Sequence, residues 1–353
     1  MSLVGTPSSI AESPNDPIIG WRRASPRMLG LMLGIMAICV VAMMSLRLGS
    51  LELSTTDAWN GLFHYSADSY EQTVVRKLRL PRTIIALAVG GALGVAGAVM
   101  QGVTRNPLAG PSILGVSSGA SFAITTAIFF LGRTAPGEYV WFAFAGALGA
   151  SALVFMIGGA GRGGTTPIKL ALAGVVISAL LGAWTSTLLL LNEETMDAVR
   201  FWLAGSVAGR ELDTLWSVSP FLLGGTLGCL LLGHQLNVLS MGDDSARALG
   251  MHTTRTRLIA STLVVLITGA AVSVAGPIGF IGLATPHIAR SIVGPDYRWI
   301  LPYSLIIGAI VLTAADVAGR LLTKPAELQV GIVTALVGAP FLIWLARQRS
   351  VAS

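Results

Sequence analysis

The sequence predicts an all-α integral membrane protein of ten transmembrane helices. Three observations predict it. Of 353 residues, 53% are hydrophobic and only 11% charged, against roughly 25% charged in a soluble domain. The apolar residues fall in runs of the length, about 20, that a helix needs to cross a hydrocarbon core. Finally, 42 glycines run through those stretches, which suits helices packed closely in lipid. The mean hydropathy of +0.74 excludes a water-soluble globule and a disordered chain. Cys39 and Cys229 both sit inside apolar runs, so they read as filler and not as a disulfide framework.

Lipid offers the backbone no hydrogen-bond partner, so each run must be a helix or part of a closed barrel. These runs are too long and too continuous for barrel strands. The spans are placed at 28–48, 83–103, 112–132, 139–160, 168–191, 215–236, 258–276, 278–293, 299–322 and 328–346. The eighth is short and carries Pro286, so it is expected to be partly re-entrant. Residues 1–27 form a polar tail ending in Arg22, Arg23 and Arg27. The polar lead is long and no small-residue cleavage site follows the first run, which is therefore read as a retained span and not a signal peptide. Those arginines favour a cytoplasmic N-terminus. Ten crossings return the C-terminus, with Arg347 and Arg349, to the same side. One outside stretch, holding Arg76, Lys77, Arg79 and Arg82, breaks the charge rule and calls for its own explanation.

Two segments match without a gap. Val95–Gly115 and Val274–Gly294 share Val-Ala-Gly, then Pro107 with Pro286, Ser112 with Ser291, Ile113 with Ile292 and Gly115 with Gly294. They begin in spans 2 and 7, an odd number of crossings apart. This reads as an inverted repeat of spans 2–5 and 7–10, an arrangement of transporters whose pathway lies near the repeat interface.

Energy must come from elsewhere. A phosphate-binding loop needs a lysine after a glycine, and none of Lys77, Lys169 and Lys324 follows one. Away from span ends the only carboxylate is Asp316, four residues before Arg320, a spacing that favours a local pair over a proton relay. His64, His234, His252 and His287 show no metal-ligand spacing, so no metal site and no catalytic residue is assigned. An ion-coupled secondary transporter stays open as an alternative.

The loop 241–257 offers a place to borrow power. Asp243 or Asp244 can cap a short helix and Gly250 can end it, with Ala246, Ala248 and Leu249 between. Docking into another protein and a plain solvated loop fit equally. At the opposite end Arg79 and Arg82 flank Leu80-Pro81, and Arg320 lies near the outer end of span 9. Such cations anchor a helix to headgroups or receive a partner's carboxylates. In span 2, Gly90, Gly91, Gly94 and Gly97 suit either sliding or static close packing.

These stretches resemble the permease subunits of the iron-siderophore, haem and cobalamin class of ABC importers. The resemblance is carried by RLPRTIIALAVGGALGVAGAVMQGVTRNPLAGPSILGVSSGASFAI (79–124), MGDDSARALG (241–250), AGPIGFIGLATPHIAR (275–290) and the tail through LQVGIVTALVGAPFLIWL (328–345). It covers about 28–348 as one ten-helix domain. It implies a type II importer permease fold in the bacterial inner membrane, paired with a second permease subunit, a paralogue being favoured over an identical copy. It further implies two cytosolic ATPases that bind ATP and magnesium, a substrate-binding protein, surrounding lipid and no nucleic acid. By resemblance, Arg79, Arg82 and Arg320 meet glutamates of the binding protein. Gly242, Asp243, Asp244, Ala246, Ala248, Leu249 and Gly250 form the coupling helix, and Gly163, Gly164, Thr165, Thr166 and Pro167 a cytoplasmic gate. RFWLAGS, near 200–206, is closer to catecholate-siderophore permeases, so a ferric siderophore is the expected cargo, with haem or cobalamin as alternatives. The chain departs from the family at Leu328-Gln329, where relatives often have Leu-Pro.

Overall fold

The structure, a computed structural model, describes residues 17–132, 136–159, 166–324 and 326–350. Those residues form α-helices and short connections with no strand among them. In chain order the helices are α1 (Pro17–Arg47), α2 (Thr55–Phe63), α3 (Tyr70–Val74), α4 (Leu80–Thr104), α5 (Val116–Leu131), α6 (Pro136–Gly159), α7 (Pro167–Leu191), α8 (Glu193–Leu203), α9 (Leu212–Leu231), α10 (Gly233–Ser240), α11 (Asp243–Ala248), α12 (Thr253–Ala275), α13 (Ile281–Val293), α14 (Tyr297–Leu322) and α15 (Val330–Ser350). Ten of these, α1, α4–α7, α9 and α12–α15, fall on the ten expected spans. Among the described residues, seven long helices are apolar enough to cross a membrane, while α5 and the apolar part of α15 are shorter. Helix α1 reaches back to Pro17, so part of the polar lead is helical.

The bundle is built around α4, which packs along α14, α12 and α13. Its most apolar stretch is 83% buried, against 11% for α1 and 28% for α7. Lipid removes the hydrophobic drive between helices, so close backbone contact must hold them. Gly90 and Gly308 face each other at the crossing of α4 and α14, where a methyl carbon on either would fall 2.4 or 2.2 Å from the other's carbonyl oxygen. At Gly97 a methyl carbon would fall 1.8 Å from the carbonyl oxygen of Gly282. Contacts this tight favour static packing over sliding.

Local chemistry explains the irregular pieces. Pro81 has no N–H and its ring crowds the carbonyl one turn back. The chain answers with a π-turn over Val75–Arg79, which joins α3 to α4 in one continuous helical stretch. The connection 276–280 is not helical, and Gly282 just beyond it meets Gly97 deep in α4. Span 8 thus begins inside the bundle, as its length and proline lead one to expect. Backbone groups here find partners on neighbouring loops: Ser206 N–H donates to Ala275 O at 2.8 Å and Gly331 N–H to Gly205 O at 3.0 Å.

The two halves share an element order: a long helix, an irregular connection containing Gly-Pro (Gly110-Pro111, Gly276-Pro277), a shorter helix and two further helices. The ungapped register read from the sequence does not align them, however. Val95–Gly97 lies inside α4 while Val274–Gly276 ends α12, and Pro107 lies in a loop while Pro286 lies in α13.

Gly97→Val is expected to abolish folded protein, because the α4–α13 contact cannot open without breaking the bundle. Gly149→Ala, where a methyl meets nothing within 4 Å, is expected to be neutral or to stabilise by up to about 1 kcal/mol. Thermal unfolding of the detergent-purified variants measures both.

Candidate functional site

At the end of the bundle where α4 begins and α14 finishes, a concavity of about 690 Å³ opens. Lys77, Arg79, Arg82, Arg210 and Arg320 line it against Glu211, Asp213 and Glu327. The sequence expectation of three arginines at one mouth is met, though not with free side chains. Arg82 clasps Asp316, donating from Nε at 2.9 and 3.0 Å and from Nη2 at 2.8 Å. Its remaining amino group, Nη1, donates to Glu327 Oε2 at 2.6 Å. Asp316 also pairs with Arg320 at 3.1 Å, the expected one-turn pair. Asp316 is 1% exposed and Arg320 2%.

Arg79 and Arg320 do a second job. The last four carbonyls of a helix lack partners within it. In α1 they are all met. Met44 O accepts from Leu48 N–H, Ser45 O from Arg320 Nη1, and Leu46 O and Arg47 O from Arg79 Nη1. Arg320 Nη1 also donates to Leu48 O at 3.0 Å, and Arg79 Nη2 to Leu51 O. Two guanidinium charges at the negative end of the α1 dipole add to the attraction. Neither arginine reaches toward headgroups; they tie α1 to α4 and α14.

The opposite end carries α11. Gly242, at φ +103, opens it with no side-chain cap, and Gly250, at φ +80, follows its end. Gly250 stops the helix as expected, but Asp243 does not cap it. Its carboxylate turns back to Arg257 at the start of α12, with bonds of 2.7 and 3.0 Å. It also pairs with Arg105, just past the end of α4, at 3.1 Å. Arg105 holds a left-handed backbone at φ 51. The hydrogen bond from Arg257 and the nearby positive charges hold the Asp243 carboxyl below its usual range. Ala246 is buried inward, while Asp244, Ala248 and Leu249 face out, Leu249 at 64% exposure beside exposed Met241.

Nearby, Asp296 leads into α14. Burial opposes its ionisation, but hydrogen bonds from Arg298 and Asn237 outweigh this and hold it at about 2. Of the expected gate, Gly163, Gly164 and Thr165 lie outside the described residues. Thr166 caps α7 by accepting from Lys169 N–H at 3.4 Å, and Pro167 lines a small cavity with Arg257. Cys39 is exposed on α1 and Cys229 is buried. Sequence reasoning missed Glu327, Arg105 and Arg257. Arg105 stands just past the end of α4 and Arg257 closes the loop 241–257, cations at span ends whose position was a signal that was available.

Asp243→Asn is expected to lower stability by about 1 kcal/mol at pH 7. A carboxylate with a lowered folded-state pKa stabilises above its unfolded value and stops doing so as pH falls through the folded one. The gap between variant and parent should therefore close toward pH 3, as read by thermal unfolding across pH.

The chain resembles characterised permeases along nearly its whole length. It is 45% identical over 324 residues to the iron(3+)-hydroxamate import system permease protein FhuB of Bacillus subtilis, covering 90% of this chain and 83% of that one. It is 44% identical over 322 residues to the ferric enterobactin transport system permease protein FepD of Escherichia coli, covering 90% and 95%. A solved metal-chelate type ABC transporter in an inward-facing conformation superposes with a TM-score of 0.80 at 32% identity, covering 90% of this chain and 98% of that one. A profile of the FecCD transport family matches residues 36–348, both ends of the bundle included, and the chain belongs to that family.

Proposed function

We propose that the chain is the membrane-spanning subunit of an ATP-driven importer for a ferric siderophore, working with two cytosolic ATPases, a second permease subunit and an external binding protein. The observation that carries this reading is the 44–45% identity, over 90% of the chain, to permeases for hydroxamate and enterobactin complexes of iron. The geometry supports it. A cationic mouth stands at one end of α4, and at the other lies a short helix flanked by exposed Met241 and Leu249; α4, with the most buried apolar stretch among the described long helices, joins them.

In this reading the mouth faces outward and α11 faces the cytoplasm, with both chain termini. Arg79, Arg82 and Arg320 form the docking site for carboxylates of the binding protein. Arg82 is the residue whose guanidinium faces the concavity beside Glu327, while Arg79 and Arg320 place positive charge beneath it. Leu249, Ala248 and Met241 seat in the ATPase. Ala246 and the Asp243 clasp with Arg105 and Arg257 transmit its movement to α4 and α12 as bodies. Pro167, which shares a cavity with Arg257, lies within reach of the same movement.

Two variants of the complete transporter in proteoliposomes test the two ends. Arg82→Glu is expected to cut uptake of iron-55 siderophore at least tenfold with ATPase association unchanged. Leu249→Asp is expected to abolish uptake while binding-protein docking persists. Uptake that survives ATP depletion and collapses with the ion gradient would overturn the reading in favour of a secondary carrier. Comparing iron-loaded catecholate, hydroxamate, haem and cobalamin as cargo decides the substrate.

A further inference from the structure

The mouth already holds a carboxylate where an incoming one would bind. Arg82 has two faces. Nε and Nη2 are committed to Asp316 at 2.8–3.0 Å, deep in the bundle. The other face, Nη1, is taken by Glu327 at 2.6 Å. Arg79 and Arg320 are spent on the carbonyls of α1. Glu327 itself sits in the connection from α14 to α15, and its side chain is 34% exposed, whereas Asp316 is 1% exposed. Of the two acids on Arg82, only Glu327 can leave into water. Arg82 and Arg320 share these two acids and Arg79 bonds to neither, so the cluster keeps a positive excess that attracts one more carboxylate.

We infer that Glu327 is an internal stand-in for the partner's carboxylate, and that docking proceeds by exchange of one for the other on Arg82. The inference rests on the docking reading above and adds the residue that competes with it. The exchange frees a segment that matters. One residue on, Leu328 N–H donates to Gly319 O at 3.1 Å, and Gly331 N–H donates to Gly205 O at 3.0 Å at the start of α15. Freed of Glu327, the stretch 326–329 loses its one side-chain tether to α4 among the described contacts, while the main-chain bond from Gly331 to Gly205 still holds the start of α15.

The test uses the complete transporter in nanodiscs with its own binding protein. Glu327→Gln removes the competing charge and keeps the shape. Removing a partly exposed ion pair worth about 1 kcal/mol should tighten docking about fivefold. Arg82→Gln should weaken docking, and Glu327→Gln in that background should no longer tighten it. A second readout follows the segment itself. A cysteine at Gln329 should label faster when binding protein is added to the parent, and equally fast with or without it in the Glu327→Gln variant. If Arg82→Gln leaves docking unchanged, the docking reading falls. If Arg82→Gln weakens docking but Glu327→Gln leaves it unchanged or weaker, docking stands and the exchange is overturned.

Discussion

One carboxylate organises this molecule. Asp316 sits in α14 with almost no access to solvent, inside the bundle where α4 begins and α14 ends. An unpaired charge there would cost several kcal/mol. Arg82 and Arg320 both answer it, and in doing so they pin the start of α4 to the end of α14. Arg320 and its neighbour Arg79 then have guanidinium groups positioned over the open carbonyls of α1. A single buried acid thereby fixes three helices at one end, and Nη1 of Arg82 is left to pair with Glu327 at the concavity.

At the other end the logic is reversed: one acid, Asp243, is shared by two arginines from two different spans. It lies half in water, so the pairs are weaker and the joint is softer. α4 begins at the first cluster and ends at the second. A helix with its interior buried against three neighbours is a stiff connection between them, and the tight approaches at Gly90 and Gly97 leave little room for it to slip. Motion transmitted through this bundle must move α4 as a body.

Much of this was legible in the sequence. Run length and charge content placed ten crossings, because lipid leaves few ways to satisfy a backbone. The short eighth run shows as the short helix α13, but Pro286 lies within it without breaking it, and the non-helical stretch precedes it at 276–280. The one-turn spacing of Asp316 and Arg320 predicted their pair. What the sequence hid was partnership across distance: Arg82 meets Asp316 from 234 positions away, and no local spacing encodes that. The same blindness assigned Asp243 to a cap, since a helix-start aspartate looks alike whether it bonds its own backbone or a distant arginine. The repeat register failed for another reason: stretches rich in glycine, alanine and valine align with each other at many offsets.

The loop pairing near Gly205 has a mechanical meaning. Ser206 is bonded to the end of α12 and Gly205 to the start of α15, while a side chain on Gly276 would collide with the backbone of Trp202 at the end of α8. Three segments distant in sequence are thus stitched by main-chain bonds in surroundings poor in water, where such bonds are expensive to break. They form a small plate whose members hold one another. Widening of a passage beside it must come from bending at the plate's margins, in the connections 207–211 and 323–329, and not from its members parting.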